Sequence, residues 1–326
     1  MRTAKILVLC VCVFATSLGA GVAAPAEEWP TKPISIYIGF PPGGPADIIA
    51  RIYAPYMSKE LGVPVVVVNK PGATGGVALE FVANSKPDGY TLQENSFGGL
   101  STQPLLYHAN FTHRNFTYIL GHTGSVYAFL VKKETPWKDF REWVDYGRKN
   151  PGIKFGTHGP SNPMHVIMLW IAKRENLKIL YATFKGDTDC FPAILGDHVD
   201  LGMAAGSQAP LIEAGKLRTL LQLTGDPADA AKVPSLGEVY PDFPIPIKTI
   251  AEAPTGLFGP KGIPAPIVQK LNRALKKGIY SEEYARYLKQ NRRKPVLWEG
   301  EEVLPKLETA AEGYAAFLKE MGVERK

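Results

Sequence analysis

The chain has 326 residues, of which 45% are hydrophobic and 21% charged, and its formal net charge is +6. This length suits about two domains, and the composition favours a globular protein with buried cores while excluding a coiled coil, a collagen-like chain and a small disulfide scaffold. Most of the positive surplus follows Lys261 and is mixed with acids, and the one tight basic cluster, Arg292-Arg293-Lys294, is interpreted as a solvated helix end, so nucleic acid is not an expected partner.

Residues 1–26 have the pattern of a secretory signal peptide. Arg2 and Lys5 precede an apolar run at 6–15, and Ala24-Pro25-Ala26 provides a cleavage site after its last alanine. The apolar run is too short to span the roughly 30 Å of a bilayer core. We therefore expect an exported mature chain without a membrane anchor.

The elements that follow alternate between strands and helices. The β-rich run 34–40 predicts a strand, the proline and glycine residues of 41–45 end it, and the apolar spacing of 46–61 predicts a helix. The same criteria predict a helix at 77–84 and strands at 65–68 and 90–93. This alternation implies a mostly parallel sheet that is covered on both faces.

A second unit of the same kind follows the extended apolar stretch 116–131, which is interpreted as the strand that leaves the first unit. The second unit has predicted strands at 154–156, 179–182 and 217–223, and predicted helices at 137–149, 163–174 and 190–195. Residues 248–258 are expected to return the chain. Amphipathic helices are predicted at its end, at 267–277, 282–290 and 303–321.

The strongest candidate site is the loop Phe40-Pro41-Pro42-Gly43-Gly44-Pro45-Ala46-Asp47, between the first strand and the first helix. Ligands of open α/β sheets collect at the carboxyl ends of strands. A helix N-terminus at that place presents unpaired amide N–H groups and about half a positive charge. Its glycines let a ligand approach the main chain, and Asp47 suits the first helical turn. The loop therefore predicts an anion site.

The segment Thr157-His158-Gly159-Pro160-Ser161-Asn162 repeats this arrangement before the helix that starts at Pro163. Asn162 is a favourable N-cap, and proline suits the first helical position. Either loop alone is explained equally well as an ordinary strand–helix turn. Together they predict an anion held by two helix N-termini without any arginine, which requires Gly43 and Asn162 to face one cavity.

No enzyme signature is present in the sequence. It contains no G-x-S-x-G, G-x-x-x-x-G-K-S/T, C-x-x-C or H-E-x-x-H motif. His158 and His165 have no third ligand at a spacing typical of zinc sites, so no metal and no other cofactor is expected. Cys190 is interpreted as a packed or free thiol. A solvated loop is the favoured interpretation of three acids, Asp187, Asp189 and Asp197.

Several segments match one known family jointly. They are Trp29-Pro30-Thr31-Lys32-Pro33-Ile34, Phe40 to Asp47, Val65 to Gly72, Pro87-Asp88-Gly89-Tyr90-Thr91-Leu92, Phe155 to His165, and Phe184-Lys185-Gly186. In these segments the chain resembles the Bug-type periplasmic solute receptors, the binding components of tripartite tricarboxylate transporters. The similarity covers essentially the whole mature chain.

The resemblance implies an α/β protein with the two-lobed type II periplasmic-binding-protein (Venus flytrap) fold, in which each lobe is a mixed sheet flanked by helices. Lobe 1 would comprise residues 27–127 and 253–326, and lobe 2 residues 128–252, with crossings near Tyr127 and Ala253. It also implies a periplasmic monomer without catalytic residues or cofactors. Such a receptor would close on a small organic acid and present it to membrane permease subunits.

By matched position, the resemblance assigns ligand binding to residues of both lobes: Phe40, Pro42, Gly43, Gly44, Ala46, Asp47, Ser96, Thr157, His158, Asn162, His165 and Phe184. Some departures from the family remove polar groups: Ala46 replaces a frequent serine or threonine, and Phe184 lacks the usual phenol. Because each lost hydrogen bond weakens capture of a polar acid, we expect an apolar or aromatic carboxylate instead of a citrate-like one. A ligand sensor for a signalling partner and an exported enzyme on the same fold remain alternatives.

Overall fold

The computed structural model describes residues 28–106, 109–124, 126–159, 162–223, 233–243 and 253–322, so the predicted signal peptide lies outside the described residues. The strands of this part are β1 Ile34–Ile38, β2 Val65–Asn69, β3 Thr91–Ser96, β4 Phe116–Thr123, β5 Ala128–Lys132, β6 Ile153–Thr157, β7 Ile179–Thr183, β8 Leu201–Ala204, β9 Leu217–Gln222, β10 Thr255–Pro260 and β11 Pro295–Glu299. Its α-helices are α1 Pro45–Leu61, α2 Gly76–Ala83, α3 Phe97–Leu106, α4 Phe140–Lys149, α5 Pro163–Arg174, α6 Asp187–Leu195, α7 Ala209–Glu213, α8 Leu236–Val239, α9 Ala265–Ile279, α10 Glu282–Gln290 and α11 Gly300–Met321.

The strands form two mixed sheets, which with their helices are called lobe 1 and lobe 2. Lobe 1 has the order β11-β4-β10-β3-β1-β2, and lobe 2 the order β7-β6-β8-β5-β9. The expectation of a mostly parallel sheet holds only near the βαβ units, where β1 pairs in parallel with β2 and β3, and β6 with β7 and β8. The pairs made by β4, β5, β10 and β11 are antiparallel, so both sheets are mixed.

The apolar stretch 116–131 is not one strand but two. Its first part, β4, lies between β11 and β10 of lobe 1, and its second part, β5, lies between β8 and β9 of lobe 2. Both are central strands with buried side chains, so the sequence shows one continuous apolar run although the run passes between two cores. The chain returns to lobe 1 between β9 and β10.

Helix α11 connects the two cores near the end of the chain. Val303 and Leu307, in its first half, pack in a cluster of lobe 1 together with Phe97 and Phe258. Its second half contributes three buried side chains to the main cluster of lobe 2, Tyr314, Phe317 and Leu318. Helix α11 begins three residues before its predicted start at residue 303, and it packs against both lobes.

Candidate functional site

A cavity lies between the lobes, at the carboxyl ends of β1, β3 and β6. Its walls come from both lobes, and Tyr127 and Thr255 line it where the chain crosses between them. The lining residues of lobe 1 are Phe40, Pro41, Gly44, Pro45, Ala46, Asn95 and Ser96. Those of lobe 2 are His158, Asn162, Gly186, Asp187, Thr188 and Ala205. This is the position at which ligands of open α/β sheets bind.

The first wall is the N-terminus of α1. Gly44 is the N-cap residue and Pro45 the first helical residue, one residue before the predicted start. Glycine offers no side chain to cap the helix, so the first-turn amides keep their hydrogen-bonding capacity. Because the helix dipole adds partial positive charge at this end, the wall favours an anion.

The Asp47 side chain stabilises the loop that forms this wall. Its carboxylate accepts hydrogen bonds from the Gly43 amide (2.9 Å), Arg51 Nε (3.0 Å) and Asn69 Nδ2 (2.9 Å). Burial alone would raise the pKa of Asp47, but the hydrogen bonds from Arg51, Gly43 and Asn69 outweigh it and lower the pKa below its usual value. Asn69 Nδ2 also donates to the Phe40 carbonyl at 3.1 Å. Asp47 thus fixes the loop, and the Gly43 amide, bonded to Asp47, is not free for a ligand.

The second wall contains two helix N-termini where the sequence predicted one. Asn162 caps α5 by accepting a hydrogen bond from the Met164 amide at 2.9 Å. Helix α6 also begins at the cavity, with Gly186 as its N-cap residue and Asp187 as its first residue, three residues before the predicted start. Three helix N-termini, those of α1, α5 and α6, therefore meet at one cavity.

The expectation that Asp187 is solvated is wrong. The acids near this position were expected in a solvated loop, but Asp187 is only 2% exposed and lines the cavity. Its carboxylate accepts hydrogen bonds from the Ala205 amide (3.1 Å) and the Ser207 hydroxyl (2.5 Å). Acids after a glycine are typical of a first helical turn, and this signal could have placed the start of α6 correctly.

His158 lies beside Asp187 on the cavity wall. Its ring is 4% exposed, and Nε2 lies 3.2 Å from Asp187 Oδ1 without forming a hydrogen bond. Burial lowers the pKa of His158 below its usual value, and the charges of Asp187 and Asp189 only partly oppose this effect. The imidazole is therefore neutral at neutral pH.

The remaining predicted residues surround the cavity without lining it. Pro42 is exposed. Thr157 is fully buried beneath the second wall, where its hydroxyl accepts a hydrogen bond from the Gly159 amide at 3.3 Å. His165 packs against the ring of Tyr181, at 4.7 Å between ring centres. Phe184 borders a second opening, which His158 also lines.

The two lobes touch at the second opening, which Thr74 and His158 both line. The Thr74 hydroxyl of lobe 1 donates a hydrogen bond to the His158 carbonyl of lobe 2 at 2.9 Å. Thr74 has φ 54° and ψ 37°, in the left-handed region that threonine rarely occupies. The Gln103 side chain donates to the Thr74 carbonyl and holds this strained turn in place. The contact joins lobe 1 to lobe 2.

Arg293 makes a second connection between the lobes, and it corrects the interpretation of the basic cluster. It is 5% exposed, not solvated, and it donates to the carbonyls of Ala205 (2.6 Å), Gly206 (3.3 Å) and Gly124 (3.2 Å). Gly206 has φ 111°, and a Cβ at this position would overlap the guanidinium. An arginine therefore supports the second wall, which the sequence did not predict.

Other kinds of site are not found in the part of the chain that the structure describes. Within it, no cluster of three or more His, Cys, Asp or Glu side chains is arranged to hold a metal ion. Cys190 is a buried free thiol, and burial, assisted by the charge of Asp187, raises its pKa to about 12. None of the helices within the described ranges combines the length and the apolar character that crossing a membrane requires.

The structure has two lobes, each a mixed sheet flanked by helices, and the chain crosses twice between them. Helix N-termini line the cleft between the lobes. These features define a two-lobed periplasmic binding protein. The family model described as "Tripartite tricarboxylate transporter family receptor" (TctC) matches residues 49–317. The chain belongs to this family. Because the family consists of substrate-binding receptors, the protein is a solute-binding protein and not an enzyme.

Individual relatives agree with this assignment. The chain is 33% identical over 272 residues to the UPF0065 protein in the gbd 5′ region of Cupriavidus necator, covering 81% of each chain. It is 27% identical over 319 residues to Protein BugT of Bordetella pertussis, covering 94% of this chain and 95% of BugT. The solved periplasmic binding protein BugD superposes with a TM-score of 0.81 at 25% identity, covering 91% of this chain and all of BugD.

Proposed function

We propose that the protein is an extracytoplasmic receptor that captures an organic carboxylate in the cleft between its lobes and delivers it to the permease subunits of a tripartite tricarboxylate-type transporter. The observation that carries the proposal is the meeting of three helix N-termini, α1, α5 and α6, at one cavity. Each contributes partial positive charge, and no side chain caps the first-turn amides of α1 and α6, so together they suit a carboxylate.

The proposed ligand is an apolar or aromatic acid. Hydrocarbon groups form most of the cavity wall, chiefly those of Phe40, Pro41, Pro45, Tyr127 and Ala205. Burial of ligand hydrocarbon in such a cavity contributes about 25 cal/mol per Å². A polyacid such as citrate would instead place several desolvated carboxylates against carbon, which is costly.

Residues 1–26 would direct export to the periplasm, where the receptor would act as a monomer. Capture would follow the hinge closure of two-lobed proteins, since a ligand that contacts both walls stabilises the closed form. The hydrogen bond between Thr74 and His158, which joins the two lobes, supports this view.

The ligand class is tested by thermal-shift screening of organic acids, followed by calorimetry on matched pairs such as benzoate against malate and phenylacetate against citrate. We expect the apolar member to raise the melting temperature more and to bind more tightly. Ala46→Leu, which fills the cavity from the first wall, should abolish the shift. Ala285→Leu, on an exposed face of α10, should leave it unchanged. Tighter binding of malate and citrate would reject the apolar ligand, and a broad screen without any stabilising acid would reject carboxylate capture.

Delivery to a transporter requires a separate experiment. Cells that express the permease subunits should accumulate the radiolabelled acid only when this receptor is present. If the receptor binds the acid but its deletion leaves uptake unchanged, the transport assignment fails and carboxylate capture stands.

A further inference from the structure

The second wall of the cavity contains a histidine whose hydrogen-bonding capacity is unused. His158 Nε2 is buried and has no hydrogen-bond partner within the described residues, although Asp187 Oδ1 is only 3.2 Å away. Both side chains line the cavity proposed for the ligand. A buried polar atom without a partner is unfavourable, so this arrangement is incomplete without a further group.

Charged and titratable groups surround His158 on several sides. Helix α6 presents Asp187 and Asp189, whose negative charges favour the imidazolium. Lys185 borders the second opening that His158 also lines, and Tyr127 lines the main cavity. The facing turn of lobe 1, residues 72–75, has no titratable side chain. The free receptor holds the ring neutral, because burial lowers the pKa of His158 and outweighs the two acids.

A ligand carboxylate changes this balance by placing a second negative charge in the same cavity as Asp187. A neutral imidazole has one N–H donor and can serve only one of the two carboxylates, whereas an imidazolium has two. Resting on the proposed function, we infer that the receptor takes up one proton at His158 when it binds its carboxylate, and that the resulting imidazolium bridges Asp187 and the ligand. The proton comes from solvent, and no covalent bond forms or breaks.

The sign of the pH effect follows from this linkage. The free ring titrates below its usual value, and the bound ring, which faces two carboxylates, titrates higher. Between these two values the complex binds one proton more than the free receptor. Affinity should therefore rise by up to tenfold for each unit of pH decrease in this interval, and become independent of pH above and below it.

Calorimetry tests the inference with an acid already shown to bind. At pH 7, the binding enthalpy is measured in buffers of different ionisation enthalpy, and its slope gives the number of protons taken up. We expect uptake approaching one proton in the unsubstituted receptor. His158→Gln, which keeps an N–H donor but does not titrate, should abolish the uptake, and Asp187→Asn should reduce it. His198→Gln removes an exposed histidine elsewhere in lobe 2 and should leave the uptake unchanged.

A second measurement is independent of whether the variants fold and bind. NMR titration of the His158 ring in the unsubstituted protein, with and without the acid, should show a higher pKa in the complex. Acid binding with a buffer-independent enthalpy and an unchanged His158 titration would overturn the inference while leaving the proposed function intact. Uptake that persists in His158→Gln would overturn the assignment to this residue. If no acid binds at all, the inference and the proposed function both fail.

Discussion

The Arg293 guanidinium donates a hydrogen bond from Nη2 to the Ala205 carbonyl, at 2.6 Å, across the boundary between the lobes. The Ala205 amide donates in turn to the Asp187 carboxylate at 3.1 Å. One residue of the cavity wall therefore connects a buried cation on lobe 1 with a buried carboxylate on lobe 2. This chain of contacts holds the cavity wall in place between the lobes, so its loss should affect both stability and binding.

Replacing Arg293 by methionine should therefore destabilise the protein. The variant leaves the carbonyls of Ala205, Gly206 and Gly124 without their donor, and unsatisfied buried acceptors cost about 1–3 kcal/mol each before relaxation. We expect the free energy of unfolding in urea to fall by about 2–4 kcal/mol. Lys294→Met, which changes an exposed neighbour, is the control and should have little effect. Equal stability of the two variants would show that the guanidinium is not a structural support.

The hydrogen bond between Thr74 and His158 should favour the closed form. Thr74→Val keeps the β-branched shape and the strained backbone but removes the hydroxyl, so the His158 carbonyl loses its partner. A neutral hydrogen bond contributes about 0.5–1.5 kcal/mol, so affinity for the acid should fall roughly 2- to 10-fold. Calorimetry measures the affinity, and small-angle scattering measures closure.

Thr74→Ser is the matched control for this prediction, because it keeps the hydroxyl and should bind nearly as tightly as the unsubstituted receptor. If the valine and serine variants bind the acid equally well, the Thr74 hydrogen bond does not contribute to closure.

The hydrogen bonds of Asp47 predict a pH-dependent contribution to stability. Because its pKa is lower in the folded protein than its usual value, its ionised form stabilises the fold above about pH 4, and this stabilisation is lost as the pH falls through the folded-state value. Asp47→Asn should lower the free energy of unfolding at pH 7 by about 1–3 kcal/mol, the contribution of hydrogen bonds to a charged group. The difference from the unsubstituted protein should shrink below pH 4.

Urea unfolding followed by tryptophan fluorescence at a series of pH values measures this difference. The control is Asp145→Asn, which breaks an exposed pair with Arg148 on α4 and should change stability little at any pH. A difference between Asp47→Asn and the unsubstituted protein that stays constant from pH 7 to pH 3 would contradict the assigned ionisation.

Local sequence patterns predicted the elements whose stability is mostly local. Helix α5 at 163–174 and helix α10 at 282–290 have their predicted bounds, because proline or serine marks each start and apolar residues recur at helical spacing. The loop from Phe40 to Asp47 was also predicted from local residues, because its prolines and glycines end the first strand. Helix α3 was missed, since its glycines and Pro104 disfavour a helix and only its packing against α11 stabilises it.

The sequence could not predict contacts between distant segments. Arg293 lies within a run of three basic residues, and nothing near it indicates that carbonyls 87 and 88 residues earlier surround its guanidinium. Asp187 was expected in solvent because acids are rarely buried, yet the Ala205 amide and the Ser207 hydroxyl compensate its burial. Arg293 depends on the packing of one lobe against the other, and Asp187 depends on contacts between separate segments of lobe 2. No local pattern records either kind of contact.

The polarity of the first wall should influence which acids the receptor prefers. Ala46 lines the cavity in the first turn of α1, where a serine would place a hydroxyl toward a bound acid without disturbing the helix. Ala46→Ser should raise affinity for a polar acid such as malate by roughly 2- to 10-fold, the effect of one added hydrogen bond, and should leave benzoate binding nearly unchanged. Calorimetry with both acids measures this change, with Ala285→Ser on the exposed face of α10 as the control. If Ala46→Ser strengthens neither acid, the missing hydroxyl at this position does not determine ligand polarity, and the apolar preference must come from Phe40, Pro41 and Tyr127.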